Sequence, residues 1–147
     1  MKFVFLLHLF STLFMTGVIW FAQVVHYPLL GRVGRESFVE YERENTRRTG
    51  WVVIPAMALE LVTALLLLWR QPEGLLPFYA GLNAALLAVI WVSTFTLQGP
   101  YHSLLVKKFD PAVARSLVST NWIRTAAWTA RGILLLFVLR GVWSKGG

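Results

Sequence analysis

Long stretches without charge alternate along the chain with short charged segments. No Asp, Glu, Lys or Arg occurs from Phe3 to Gly31, and none from Gly74 to Val106. Between Trp51 and Trp69 the sole charged residue is Glu60, and between Arg115 and Arg140 only Arg124 and Arg131 are charged. A helix rises about 1.5 Å per residue and needs about 20 apolar residues to cross a hydrocarbon core of about 30 Å. The pattern therefore predicts four spans, at about 4–25, 51–69, 76–97 and 121–139. The first apolar run is too long for a signal peptide and no small-x-small site follows it, so it is read as an uncleaved helix.

The connecting segments carry their own signals. Ser37-Phe38-Val39-Glu40 fits a capping box, and Glu44 with Arg48 has the favourable i, i+4 order, so a short surface helix is expected over 37–49. Pro55 should kink the first turns of the second span, with Gly50 loosening the entry. Gly99-Pro100 is expected to break the third helix, and Asp110-Pro111 to start the fourth, with Asp as cap and Pro in its first turn. The tail from Trp143 to Gly147 is expected to be disordered. The fold class is thus all-α: one integral membrane domain, an antiparallel bundle of four transmembrane helices with a surface helix between the first two.

Composition narrows the function classes. Of 147 residues, 56% are hydrophobic and 14% charged, against about 25% charged in a soluble domain. A net charge of +7 would ordinarily raise nucleic acid as a partner, but most of the cations serve topology instead. Arg32, Arg35, Arg43, Arg47, Arg48, Lys107, Lys108 and Arg115 follow the first and third spans, whereas Lys2, Arg70, Arg140 and Lys145 lie at the other end. The positive-inside rule then puts both termini outside the cytoplasm, in a membrane such as the bacterial inner membrane. The partners expected are the lipid bilayer and a small apolar ligand, with a homo-oligomer or a partner membrane subunit also open. With no Cys, thiol redox chemistry is excluded, and no phosphate loop or Ser-His-Asp order is present.

Polar residues inside the spans carry the candidate chemistry. Glu60 lies nine residues from Trp69 and Arg131 nine from Arg140, which sets both about 13 Å from one boundary. A lone charge at the bilayer centre costs at least about 2.5–3.5 kcal/mol, so opposite charges at matched depth should pair. A Glu60–Arg131 ion pair is expected, serving either to fix helix register or to hold a ligand. A second polar layer, nearer the basic end, comprises Gln23, His26, Tyr27, Thr94, Thr96, Gln98, His102, Asn121 and Arg124. Asn121, Arg124 and Arg131 share one face of the fourth helix. Arg124 would hold an anionic or carbonyl oxygen through its donor fork, and His26 or His102 would accept a proton. Trp122 and Trp128 offer flat walls for an apolar ligand. No cofactor is required by this set; a haem held between His26 and His102 is the alternative, since neutral imidazole is a common iron ligand. His8 reads as a core residue, with Asn83 at similar depth. An accessory subunit and a proton-coupled transporter using Glu60 remain competing classes.

Val25-His26-Tyr27-Pro28-Leu29, Gly99-Pro100-Tyr101-His102 and Asn121-Trp122-Ile123-Arg124-Thr125 together resemble the pattern of the anthrone-oxygenase-like family of small four-helix membrane proteins. The resemblance covers about 17–139. It implies a four-helix bundle and, from a few members, oxidation of anthrones to anthraquinones without metal or flavin. A looser similarity, through Trp20-Phe21-Ala22 and Arg47-Arg48 with Pro55-Ala56-Met57, links the chain to protoporphyrinogen-oxidase-like four-helix haem proteins.

Overall fold

The computed structural model describes residues 1–144. Four helices account for most of it: α1 (Lys2–Leu30), α2 (Phe38–Trp69), α3 (Pro77–Leu105) and α4 (Pro111–Ser144), each long and apolar enough to cross a membrane. Backbone neighbours are α1–α2, α2–α3, α3–α4 and α4–α1, while among the described residues the diagonal pairs meet only through side chains. The result is an antiparallel up-down-up-down bundle. The two basic connections, 31–37 and 106–110, lie at one end, and the chain's described termini and the 70–76 turn at the other.

The side-chain distribution is that of a bundle solvated by lipid. Phe10, Phe21, Ile54, Val62, Phe78, Phe95, Ile133 and Phe137 face outward, while His8, Glu60, Asn83, Arg131 and other polar groups are buried. Apolar layers separate the polar ones. Phe5, Leu67, Leu75, Leu135 and Val138 pack near the termini, Met15, Ile19, Met57, Ile90 and Trp128 in the middle, and Tyr27, Leu30, Phe38, Leu105 and Leu117 near the basic end.

Three expectations about element boundaries change. The 37–49 segment is helical, but it forms the first turns of α2 rather than a separate surface helix, and the helix runs on through Pro55. Ser37 occupies the cap position without a side-chain hydrogen bond, so the capping box does not form. Asp110, in contrast, caps α4 as expected, its Oδ1 accepting the Ala112 N–H at 2.7 Å. Helix α4 includes Trp143 and Ser144, which the tail expectation had placed in disorder; the rest of that tail, 145–147, lies outside the described residues.

The largest change concerns the prolines. Gly99-Pro100 does not end α3, and α1 likewise runs on through Pro28. Each helix opens instead into one wide π turn, Ala22–His26 in α1 and Thr94–Gln98 in α3. Both turns end two residues before the proline, and both close with an i→i−5 bond: Tyr27 N–H to Ala22 O, and Gly99 N–H to Thr94 O. A proline ring clashes with the carbonyl four residues back and donates no bond to it. A wider turn relieves that clash while the helix continues. Gly99 suits this geometry, since a Cβ there would stand 3.1 Å from the Thr94 carbonyl oxygen. The extra residue in each turn also rotates the rest of the helix about its axis, so Tyr27 and His102 arrive on the inner face of continuous helices rather than in loops.

At the opposite end, Gly74 adopts φ +85° in the turn between α2 and α3, where a Cβ would collide with the Gly141 carbonyl of α4. That close approach ties the turn to the end of the fourth helix.

Candidate functional site

The buried polar residues form two clusters. In the first, Arg131 Nη1 donates to Glu60 Oε1 at 2.7 Å, and both side chains are fully buried. The expected ion pair is present. Its surroundings complete it: Trp128 Nε1–H is shared between the two Glu60 oxygens at 3.2 and 3.1 Å, and Arg131 Nε donates to Asn83 Oδ1 at 3.1 Å. Arg131 Nη2 reaches Thr12 Oγ1 at 3.3 Å and His8 Nε2 at 3.4 Å.

Hydrogen-bond bookkeeping fixes the form of His8. The Thr63 hydroxyl already donates to Leu59 O at 2.6 Å, so His8 Nδ1 donates to Thr63 Oγ1 at 2.7 Å. His8 Nε2 is then the acceptor, and it meets two donors, Asn83 Nδ2 at 2.8 Å and Arg131 Nη2. All four helices contribute to this cluster, which explains why His8 and Asn83, at matching depth, belong with Arg131. The cluster has one cation and one anion.

The second cluster lies toward the basic end. Arg124 sends Nε and Nη2 to Asn121 Oδ1 at 2.9 and 2.5 Å, Nη2 to Tyr27 Oη at 3.2 Å, and Nη1 to Thr94 Oγ1 at 3.4 Å. Among the described residues no carboxylate lies within ion-pair distance of it. Asn121 Nδ2 donates to Gln23 Oε1 at 2.8 Å, and Gln23 Nε2 to Val118 O at 3.1 Å, which clasps α1 to α4. His102 links the remaining members. Its Nδ1 lies 2.5 Å from Glu42 Oε1, and its Nε2 lies 3.4 Å from Tyr27 Oη. Glu42 is fully buried and also accepts from Asn45 Nδ2 at 3.1 Å. The chain of contacts thus runs Glu42–His102–Tyr27–Arg124 across all four helices.

A cavity of about 180 Å³ adjoins this chain. Met15, Val18, Ile19, Val53 and Trp128 form apolar walls, and Tyr27, His102, Arg124 and His26 form the polar end. The exposed Thr46 and Thr49 belong to its lining, so it opens sideways between α1 and α2. His26 Nε2 is sealed from solvent with no hydrogen-bond partner among the described residues.

Several sequence-predicted site residues are therefore brought together: His26, His102 and Arg124 line the cavity, and Gln23 and Asn121 buttress Arg124. Three are not. Glu60 and Arg131 belong to the other cluster, with Trp128 between them and the cavity. Trp122 is 48% exposed and stacks edge-on against Trp20 at 5.7 Å, on the lipid-facing side. It borders instead a shallow groove with Pro28, Arg35 and Arg115. Thr96 also faces outward, its hydroxyl spent on Val92 O. The two histidines named for the haem alternative differ in their partners: His102 meets Glu42 through Nδ1 and Tyr27 through Nε2, whereas His26 Nε2 has no partner among the described residues. Glu42 and the role of Tyr27 were missed.

Comparison with known proteins adds no relative: no protein-family model, no curated protein and no solved structure matches the chain.

Proposed function

We propose that the protein is a membrane-embedded binding protein for a small, mostly apolar molecule bearing an oxygen, of phenolic or quinone-like character, held in the cavity between α1 and α2. One observation carries this reading: Arg124 is a buried cation at the polar end of a largely apolar cavity and, among the described residues, has no anion beside it. Buried charges are ordinarily paired, and intramembrane ionisable residues mark functional sites by default. An oxygen carrying full or partial negative charge would supply what Arg124 lacks, while the Met15, Ile19, Val53 and Trp128 walls take the apolar body. The opening beside Thr46 and Thr49, just before the 51–69 span, suits a ligand that arrives from the membrane interface. The basic loops favour an orientation with both termini outside the cytoplasm.

The resemblance to the anthrone-oxygenase-like family points to the same ligand class and extends the reading to oxidation. Acid–base work is what the side chains at the cavity can contribute; oxidation would draw on an oxidant beyond them.

Mass spectrometry of small molecules co-purifying with the protein tests the proposal. Wild type should retain an apolar, oxygen-bearing compound that Arg124→Met loses while remaining folded. Identical small-molecule profiles for the two proteins would leave the accessory-subunit reading in its place.

A further inference from the structure

We infer that Glu42, His102 and Tyr27 form a proton relay that ionises the oxygen of the bound ligand, with Tyr27 as the group in contact with it. This inference rests on the binding site proposed above.

The hydrogen-bond inventory supports two states of the same atoms. Arg124 has only donors, so Tyr27 Oη accepts from it. The single Tyr27 proton is then free to point at His102 Nε2, while His102 Nδ1–H points at Glu42. That is the resting state. In the second state His102 carries both protons, Nε2–H donates to Tyr27 Oη, and the Tyr27 proton is free to face the cavity.

A ligand hydroxyl converts one state into the other. Its O–H bond breaks and its proton passes to Tyr27 Oη; the former Tyr27 proton passes to His102 Nε2. Tyr27 ends as it began, His102 gains one proton, and the ligand keeps the electron pair as an oxyanion. No electron leaves the ligand and no oxidant is used.

Charge placement gives this step its direction. Before transfer the anion Glu42 faces a neutral imidazole, and the cation Arg124 has no anion. After transfer the imidazolium lies against Glu42 and the ligand oxyanion against Arg124. Two ion pairs are completed by moving one proton along the chain, in surroundings of low dielectric where pairing matters most. The arrangement follows the logic of a carboxylate orienting a histidine that takes a proton from a hydroxyl. The 3.4 Å separation of Tyr27 and His102 is the longest link, and such contacts tighten when ligand binds. His26 in the same wall is the other titratable group facing the cavity.

The test uses 4-nitrophenol, whose absorption reports its ionisation, with the full chain in lipid nanodiscs. Bound to wild type, it should ionise at a pH lower than unbound 4-nitrophenol by about one unit or more. Tyr27→Phe removes only the hydroxyl and keeps the ring; with E42Q it should still bind the phenol, and both should return the midpoint toward the free value. Binding to wild type with an unshifted midpoint, or a shift that survives Tyr27→Phe, overturns the relay alone. Absence of binding to wild type overturns the pocket as well.

Discussion

Two buried clusters cross the same bundle and treat charge in opposite ways. Around Arg131 the single cation meets the single anion directly, every partner is satisfied, and the cluster adds no side chain to the cavity wall except that of Trp128. Around Arg124 the cation and the buried carboxylate Glu42 are held apart by Tyr27 and His102, and three of those four side chains line the cavity. Residue types are alike in the two, though one lies about 10 Å nearer the basic end; satisfaction is what separates them. A completed cluster locks helix register, whereas an incomplete one leaves a place for something else. The ionisable residue to suspect in a membrane bundle is the one whose partner is missing.

The largest effect that would break this contrast concerns the Arg131 cluster. Arg131→Met strands Glu60 in the middle of the bundle, and removing one partner of a buried pair costs about 3–5 kcal/mol. The double variant Glu60→Leu with Arg131→Met leaves no stranded charge and should recover most of that loss. Unfolding measured in mixed micelles for the four members of the cycle gives the coupling directly. Equal losses in single and double variants would show that the pair does not set register.

Next in size is the Arg124 cluster. Arg124→Met strands no anion in direct contact; it removes hydrogen bonds to Asn121, Tyr27 and Thr94. At about 1 kcal/mol per bond, with some made elsewhere, the expected loss is about 1–3 kcal/mol, smaller than for Arg131→Met. Loss of ligand should be complete. A destabilisation as large as that of Arg131→Met would erase the distinction drawn between the clusters.

Trp128 stands at the boundary between the two. Trp128→Phe removes an N–H shared by the Glu60 oxygens, leaves Arg131 in place and keeps an aromatic wall on the cavity. A loss of about 1 kcal/mol is expected in the same unfolding assay, with ligand retained. Loss of ligand at unchanged stability would place the Glu60 cluster within the site after all.

How much of this was legible depends on what each signal measures. Glu60 and Arg131 could be matched because helical rise is constant, so counting residues from a boundary gives depth. Asp110-Pro111 could be read because the cap is local. Glu42 was hidden by its neighbours: Arg43, Glu44, Arg47 and Arg48 made the segment look like a solvated surface helix. Yet Phe38, Glu42, Asn45, Thr49, Val53, Met57 and Glu60 fall at helical spacing on one stripe, which continues into the span. Reading that stripe through the charged turns would have turned Glu42 inward. The wide turns were missed for a different reason. Proline was taken as a helix end, whereas burial of both ends against neighbouring helices made it cheaper to widen one turn than to expose broken backbone bonds in a membrane. His102 and Tyr27 owe their positions to that choice.

The smallest expected effect sharpens the contrast from outside the bundle. Glu44, two residues beyond Glu42 on the same helix, faces away from the core and accepts hydrogen bonds from Arg47 at 2.8 and 2.7 Å and Arg48 at 2.6 Å. Those two guanidinium groups lower its pKa from 4.5 to about 2. A carboxylate whose folded-state pKa is depressed contributes stability above its unfolded value and loses it as pH falls through the folded value. The contribution is therefore present above about pH 4.5 and fades toward pH 2. It should be slight, because exposed pairs are screened by water and salt. Acid titration of helix content in Glu44→Gln against wild type should show a small difference that closes below pH 2 and shrinks in high salt. A difference confined to neutral pH would mean that the substitution acts through its neighbour Glu42, and that the charged turns of α2 and the buried relay are not independent.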